Sequence, residues 1–115
     1  MQLHRWSEVK KEQLNSLMTR QMIHGDNITL ARFDLRKGAV IPEHSHINEQ
    51  IMTFEKGRGR FVVGGQEVTI SAGESLRIPP NVPHSGEVLE DSIVVDVFSP
   101  PREDWIRGED SYLRK

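Results

Sequence analysis

The chain has 115 residues, enough for one hydrophobic core and too few for two, so one domain carrying one site is expected. Its net charge of −2 offers no basic surface of the kind that neutralises phosphates, which argues against a nucleic-acid partner. The absence of cysteine excludes disulfides, thiolate nucleophiles and thiolate metal sites, so any metal has to be held by nitrogen and oxygen. No run of 18 apolar residues occurs, and Met1-Gln2-Leu3-His4-Arg5-Trp6 lacks the apolar core of a signal peptide. A cytoplasmic protein without membrane contact is expected.

In chain order, residues 1–26 read as an N-terminal arm or a short helix or strand, with a loose helical rhythm at Val9, Leu14 and Leu17 that suggests a short helix or irregular chain over Ser7–Leu17. From residue 27 to 107 short apolar runs alternate with glycine or proline about every ten residues, the pattern of an all-β sandwich or barrel. Ile28–Leu35, Gln50–Phe54, Arg60–Val63, Glu67–Ile70 and Ile93–Phe98 read as strands. Gly64-Gly65 supplies the positive φ of a two-residue hairpin turn. Residues 108–115 are charged and read as a mobile tail. A short open barrel leaves edge strands and the outward residues Ile93, Val95 and Val97 to be covered, which predicts a homodimer.

His44 and His46 stand two apart after Pro42, a spacing that puts two imidazoles on one face of an extended chain, where they can grip one metal. Gln50 has the same parity and can add a carbonyl oxygen. His84 follows the stiff approach Pro79-Pro80-Asn81-Val82-Pro83, making a fourth candidate ligand. Glu49 points to the other face by parity, and replaces Gln50 as ligand only if the chain bulges there. His4 and His24 read as surface or structural residues.

These residues resemble two motifs of the cupin family. Gly38, five residues, His44-Ser45-His46, three residues, Gln50, six residues, Gly57 is similar to the first, with Gln where Glu is usual. Gly73, five residues, Pro79, one residue, Asn81, two residues, His84 is similar to the second, with Asn81 where Gly is usual. The resemblance implies a single-domain double-stranded β-helix of the jelly-roll type with one divalent metal inside the barrel. Three imidazoles and an amide are all neutral and leave the metal its full charge, which favours polarising a substrate oxygen over activating dioxygen. Zinc, nickel, manganese and iron all accept such a set.

Asp96 interrupts the apolar run Ile93-Val94-Val95-Asp96-Val97-Phe98, where an unpaired carboxylate is costly to desolvate and its pKa rises. One reading is a structural pair with Arg102, just past the strand end. The other comes from a narrower resemblance: Asp96, Phe98 and Arg102, with the His-x-His and Gln of the metal motif, are similar to pectin-degradation cupins of the KdgF type. That resemblance implies conversion of Δ4,5-unsaturated uronate monosaccharides to linear 4-deoxy-5-keto uronates. It places His44, His46, Gln50 and His84 on the metal and Asp96, Phe98 and Arg102 in turnover. On that reading Asp96 is the general acid/base, Arg102 orients the uronate carboxylate and Phe98 packs on the sugar. Arg20 and Arg60 are further candidate carboxylate partners, against the ordinary reading of each as a solvated surface residue. The competing functions are a metal-dependent dioxygenase and a non-catalytic sugar-binding or sensor cupin.

Overall fold

The computed structural model describes residues 1–115. Ten strands run in chain order as β1 (Glu12–Asn15), β2 (Met18–His24), β3 (Thr29–Leu35), β4 (Val40–His44), β5 (Glu49–Lys56), β6 (Arg58–Val63), β7 (Gln66–Ser71), β8 (Ser75–Ile78), β9 (His84–Val88) and β10 (Ser92–Ser99). A single-turn helix, α1 (Glu103–Ile106), follows. The strands form two antiparallel sheets, one ordered β1-β2-β3-β10-β5-β8 and the other β4-β9-β6-β7.

Strict alternation decides which side chains enter the barrel. Along β3 and β10 every second residue is buried, bringing Ala31, Phe33 and Leu35 inward beside Val94, Asp96 and Phe98. Fully buried Phe54 and Phe98 each contribute roughly 1.5–3 kcal/mol by leaving water. Gly64 and Gly65 have φ of 55° and 81°, the double left-handed turn expected between β6 and β7. Gly86 answers to packing: a Cβ there would overlap the Phe61 ring.

The five expected strands are present with ends shifted by a residue or two. Both chain ends are built into the fold. Over Ser7–Leu17 there is only a 3₁₀ turn at Trp6–Glu8, then β1, and β2 lies inside the larger sheet. No helix follows the loose rhythm there, and β2 buries Arg20 toward the barrel and Gln21 on the opposite face beneath the N-terminal arm, so neither face of the strand reads as apolar. Gln21 Nε2 donates to the carbonyls of Trp6 (2.6 Å) and Val9 (3.0 Å), and Arg20 Nη2 donates to Asp110 at 2.7 Å.

The expected mobile tail is packed. Residues 111–113 form a 3₁₀ turn whose Leu113 joins the core, and Asn15 Nδ2 donates to the carbonyls of Leu113 (3.2 Å) and Lys115 (3.0 Å). Arg20 is therefore no solvated residue: it is 1% exposed, lies 4.7 Å over the Trp105 ring, and has Asp110 of this chain as its carboxylate. Arg60 is the surface residue its ordinary reading describes, paired with Glu87 at 2.9 Å.

Candidate metal centre

Three imidazoles meet where the two sheets close on each other. His44 ends β4 and is the cross-strand partner of His84 at the start of β9, with ring centroids 4.3 Å apart. His46 lies beyond the strand end, its centroid 5.7 Å from His44 and 5.0 Å from His84. One nitrogen from each ring falls within 4.8 Å of the others.

Their orientation comes from the backbone. Each Nδ1 lies at hydrogen-bond distance from a carbonyl two residues away in the chain: His44 from Pro42 (2.8 Å), His46 from Asn48 (3.1 Å), His84 from Val82 (2.9 Å). A carbonyl only accepts, so each Nδ1 carries the proton and each Nε2 presents a lone pair. Burial holds His44 and His46 down at about 4, against the Pro42 hydrogen bond in the first case and helped by Arg102 and His84 in the second; burial lowers His84 as well. All three rings are neutral at pH 7, the state a metal requires.

The fourth candidate ligand comes from the opposite sheet. Gln50 lies on β5, not on a continuation of β4, so the parity argument reached it by a different geometry. Its Oε1 lies 3.1 Å from His46 Nε2, and its Nε2 donates to Asp96 Oδ1 at 2.9 Å. With the His46 proton on Nδ1, Oε1 and Nε2 face each other as two lone pairs, and buried His84 Nε2 has no hydrogen-bond partner. Orphaned acceptors converging on one point fit a cation. Glu49 is excluded from that role: it faces outward and accepts from Arg77 Nε at 2.6 Å.

Asp96, 5% exposed, lines the same cavity as His44, His84 and Gln50. Burial pushes its carboxyl up to about 7, against the pull of the Gln50 hydrogen bond and the positive Arg102. The structural Asp96–Arg102 pair is not formed. The Arg102 fork grips Asp104 instead, Nε to Oδ1 at 3.0 Å and Nη2 to Oδ2 at 2.9 Å, while Nη2 also donates to Tyr112 Oη at 3.1 Å. Burial alone would raise Asp104, but the Arg102 hydrogen bonds and charge bring it below the usual carboxylate range. Phe98 is buried under Arg102 (4.7 Å) and edge-on to His46 (5.6 Å), so it is a packed wall of the site.

Tyr112 and Trp105 escaped the sequence reading. The Tyr112 ring lies 4.6 Å from that of His44, and its hydroxyl also accepts from Trp105 Nε1 at 3.1 Å. Both come from the segment after β10, whose place over the site has no periodic signal. His4 is exposed, and His24 is occupied with Thr29 Oγ1 at 2.8 Å. The cavity measures about 50 Å³.

Known proteins carry the same frame. The chain is 28% identical over 102 residues to the pectin degradation protein KdgF of Dickeya dadantii, covering 86% of this chain and 93% of that one. It is 35% identical over 72 residues to acireductone dioxygenase 1 of Pectobacterium atrosepticum, covering 57% of this chain but only 41% of that enzyme's length. The crystal structure of KdgF from Halomonas sp. superposes with a TM-score of 0.85 at 25% identity, over 91% of this chain and 98% of that one. Residues 31–98 match the cupin domain profile, and the chain belongs to the cupin family.

Proposed function

We propose that the protein is a metal-dependent enzyme that opens Δ4,5-unsaturated uronate monosaccharides to linear 4-deoxy-5-keto uronates. The observation that carries the reading is Asp96, a buried carboxyl raised to about 7 that shares its cavity with His44 and His84 and is hydrogen-bonded to Gln50. The likeness to the KdgF proteins over nearly the whole chain supports it. His44, His46 and His84 would hold one divalent ion through Nε2, and Gln50 through Oε1. When bound, the ion supplies a Lewis acid beside the substrate oxygens.

The reaction is an isomerisation. Removal of the anomeric hydroxyl proton forms the C1 carbonyl as the C1–O5 bond breaks, O5 becomes the C5 ketone oxygen, and the enol electron pair takes a proton at C4. Asp96 suits both transfers because its pKa is near the working pH, and its second oxygen has no protein donor. Arg102 meets the uronate carboxylate by exchanging Asp104 for it. A cavity of about 50 Å³ holds a few waters, so admitting a monosaccharide requires its lining, of which Tyr112 is one wall, to give way.

The test is the loss of ultraviolet absorbance as the conjugated C4=C5–carboxylate of an unsaturated galacturonate or mannuronate monomer is consumed. Acceleration by the metal-loaded protein is expected, and none over buffer with either monomer defeats the assignment. The acireductone dioxygenase likeness favours a second reading, dioxygen chemistry, which an oxygen electrode would reveal. The same proposal takes the protein as a homodimer. Ile23, Leu30, Val97 and Ile51 form an in-register apolar row across the outer face of the larger sheet, and a second copy would cover it. A monomeric mass by light scattering would refute this.

A further inference from the structure

A glutamine ligand has two ends of nearly equal size, and only one of them can bind a cation. Gln50 and Phe98 are cross-strand partners on β5 and β10, and Asp96 lies two residues from Phe98 on the same inward face, so Gln50 and Asp96 are diagonal neighbours. The two side chains are 6% and 5% exposed, leaving little room for water to replace either partner. The amide nitrogen meets Asp96 Oδ1 at 2.9 Å and the amide oxygen meets His46 Nε2 at 3.1 Å. Turning the amide over would set its oxygen against the Asp96 carboxylate, lone pair to lone pair.

We infer that Asp96 is a positioning residue for the metal centre, holding the Gln50 amide so that its oxygen faces the histidines. The same contact accounts for an amide at position 50. A glutamate there would bring two carboxylates to hydrogen-bond distance inside the barrel, whereas the Gln50–Asp96 pair matches one donor to one acceptor. The inference rests on the metal-centre half of the proposed function and is independent of the ring-opening half.

The test is Zn²⁺ affinity of the full chain, measured by competition with a chromophoric chelator. Asp96→Leu removes the acceptor and is expected to weaken Zn²⁺ on the order of 10–100-fold, the usual effect of losing a partner that orients a ligand. Asp96→Asn keeps a carbonyl to receive the Gln50 N–H and is expected to stay within a few-fold of wild type. In a Gln50→Leu background, Asp96→Leu should cost nothing further, because the amide it acts through is gone. Wild-type affinity in Asp96→Leu, or additive losses in the double variant, overturns the inference.

Metal-free melting temperatures give a second readout if Asp96→Leu does not fold. Gln50→Glu should melt below wild type at neutral pH. Adding Asp96→Asn should restore it, because the pair is then matched again with its roles reversed, an amide on β10 donating to a carboxylate on β5. No recovery in that double variant also overturns the inference. None of these measurements uses turnover, so failure of the uronate assay leaves them standing.

Discussion

The two sheets bring their halves of the site into place by different means. On the four-stranded side the histidines are oriented by backbone carbonyls, which no side-chain substitution removes. On the six-stranded side Gln50, Asp96 and Arg102 are oriented by other side chains: an amide on a carboxylate, a guanidinium on Asp104 and Tyr112. The first half is set once the chain folds. The second is a chain of dependencies in which one replacement reaches its neighbours, and there the site can be tuned or broken.

The largest expected break is Asp96→Asn on the six-stranded side. It keeps the acceptor for Gln50 but cannot exchange a proton, so turnover of the unsaturated uronate should fall on the order of 10²–10⁴-fold with metal content retained. Asp96→Ala is a poorer test, because it disturbs Gln50 as well. An Asp96→Asn enzyme as fast as wild type would remove Asp96 from the chemistry. Arg102→Lys should act more mildly. It keeps the charge and loses the planar fork, so KM is expected to rise roughly tenfold or more, with a smaller change in kcat. Unchanged KM would mean that Asp104 never yields its place to substrate.

The pH dependence of stability sharpens the comparison, because the two halves carry opposite signs. His44 and His46 lie at about 4 in the fold against an ordinary 6.5, so the stability tied to their neutral forms is present above pH 6.5 and is lost as pH falls toward 4. Asp96 lies at about 7 against an ordinary 3.8, so its contribution is full below pH 3.8 and is lost as pH rises through 7. Across the shared window acidification weakens one half and strengthens the other. In Asp96→Asn only the histidine effect remains, and the melting temperature of the metal-free protein should fall more steeply between pH 7 and 4 than that of wild type. Parallel curves would contradict the raised Asp96 value. The smallest effect belongs to Glu49→Gln, which breaks an exposed ion pair with Arg77 worth about 0.2–1 kcal/mol and should leave Zn²⁺ affinity unchanged.

What was legible in the sequence follows the same divide. The clustering of His44, His46 and His84 was legible because their spacing is local and their approach is stiffened by proline, and Asp96 stood out because a lone acid in an apolar strand has few explanations. Gln50 was singled out by parity along one strand, yet it reaches His46 from the other sheet. The partners were not legible. Arg102 was matched to the acid on the preceding strand, yet its carboxylate is Asp104, two residues on, where α1 turns the chain back over the barrel. Arg20 reads as a surface residue until Asp110, ninety positions later, folds onto it. Tyr112 sat in a charged stretch without period, and that stretch is held down by partners far away in the chain, Asn15 and Arg20 among them. Contacts between chain ends leave no local pattern.

The convergence of β4, β9 and β5 on one point has a thermodynamic consequence. A cation bound there by residues of both sheets has almost no counterpart in the unfolded chain, so its binding free energy is added to the folding free energy. At free metal a hundredfold above the dissociation constant that addition is about 2.7 kcal/mol, a large share of what a domain of this size has in total. The melting temperature then becomes a reading of the metal supply. A cell short of metal would hold the protein in its less stable form, and its abundance, as well as its activity, would follow the ion.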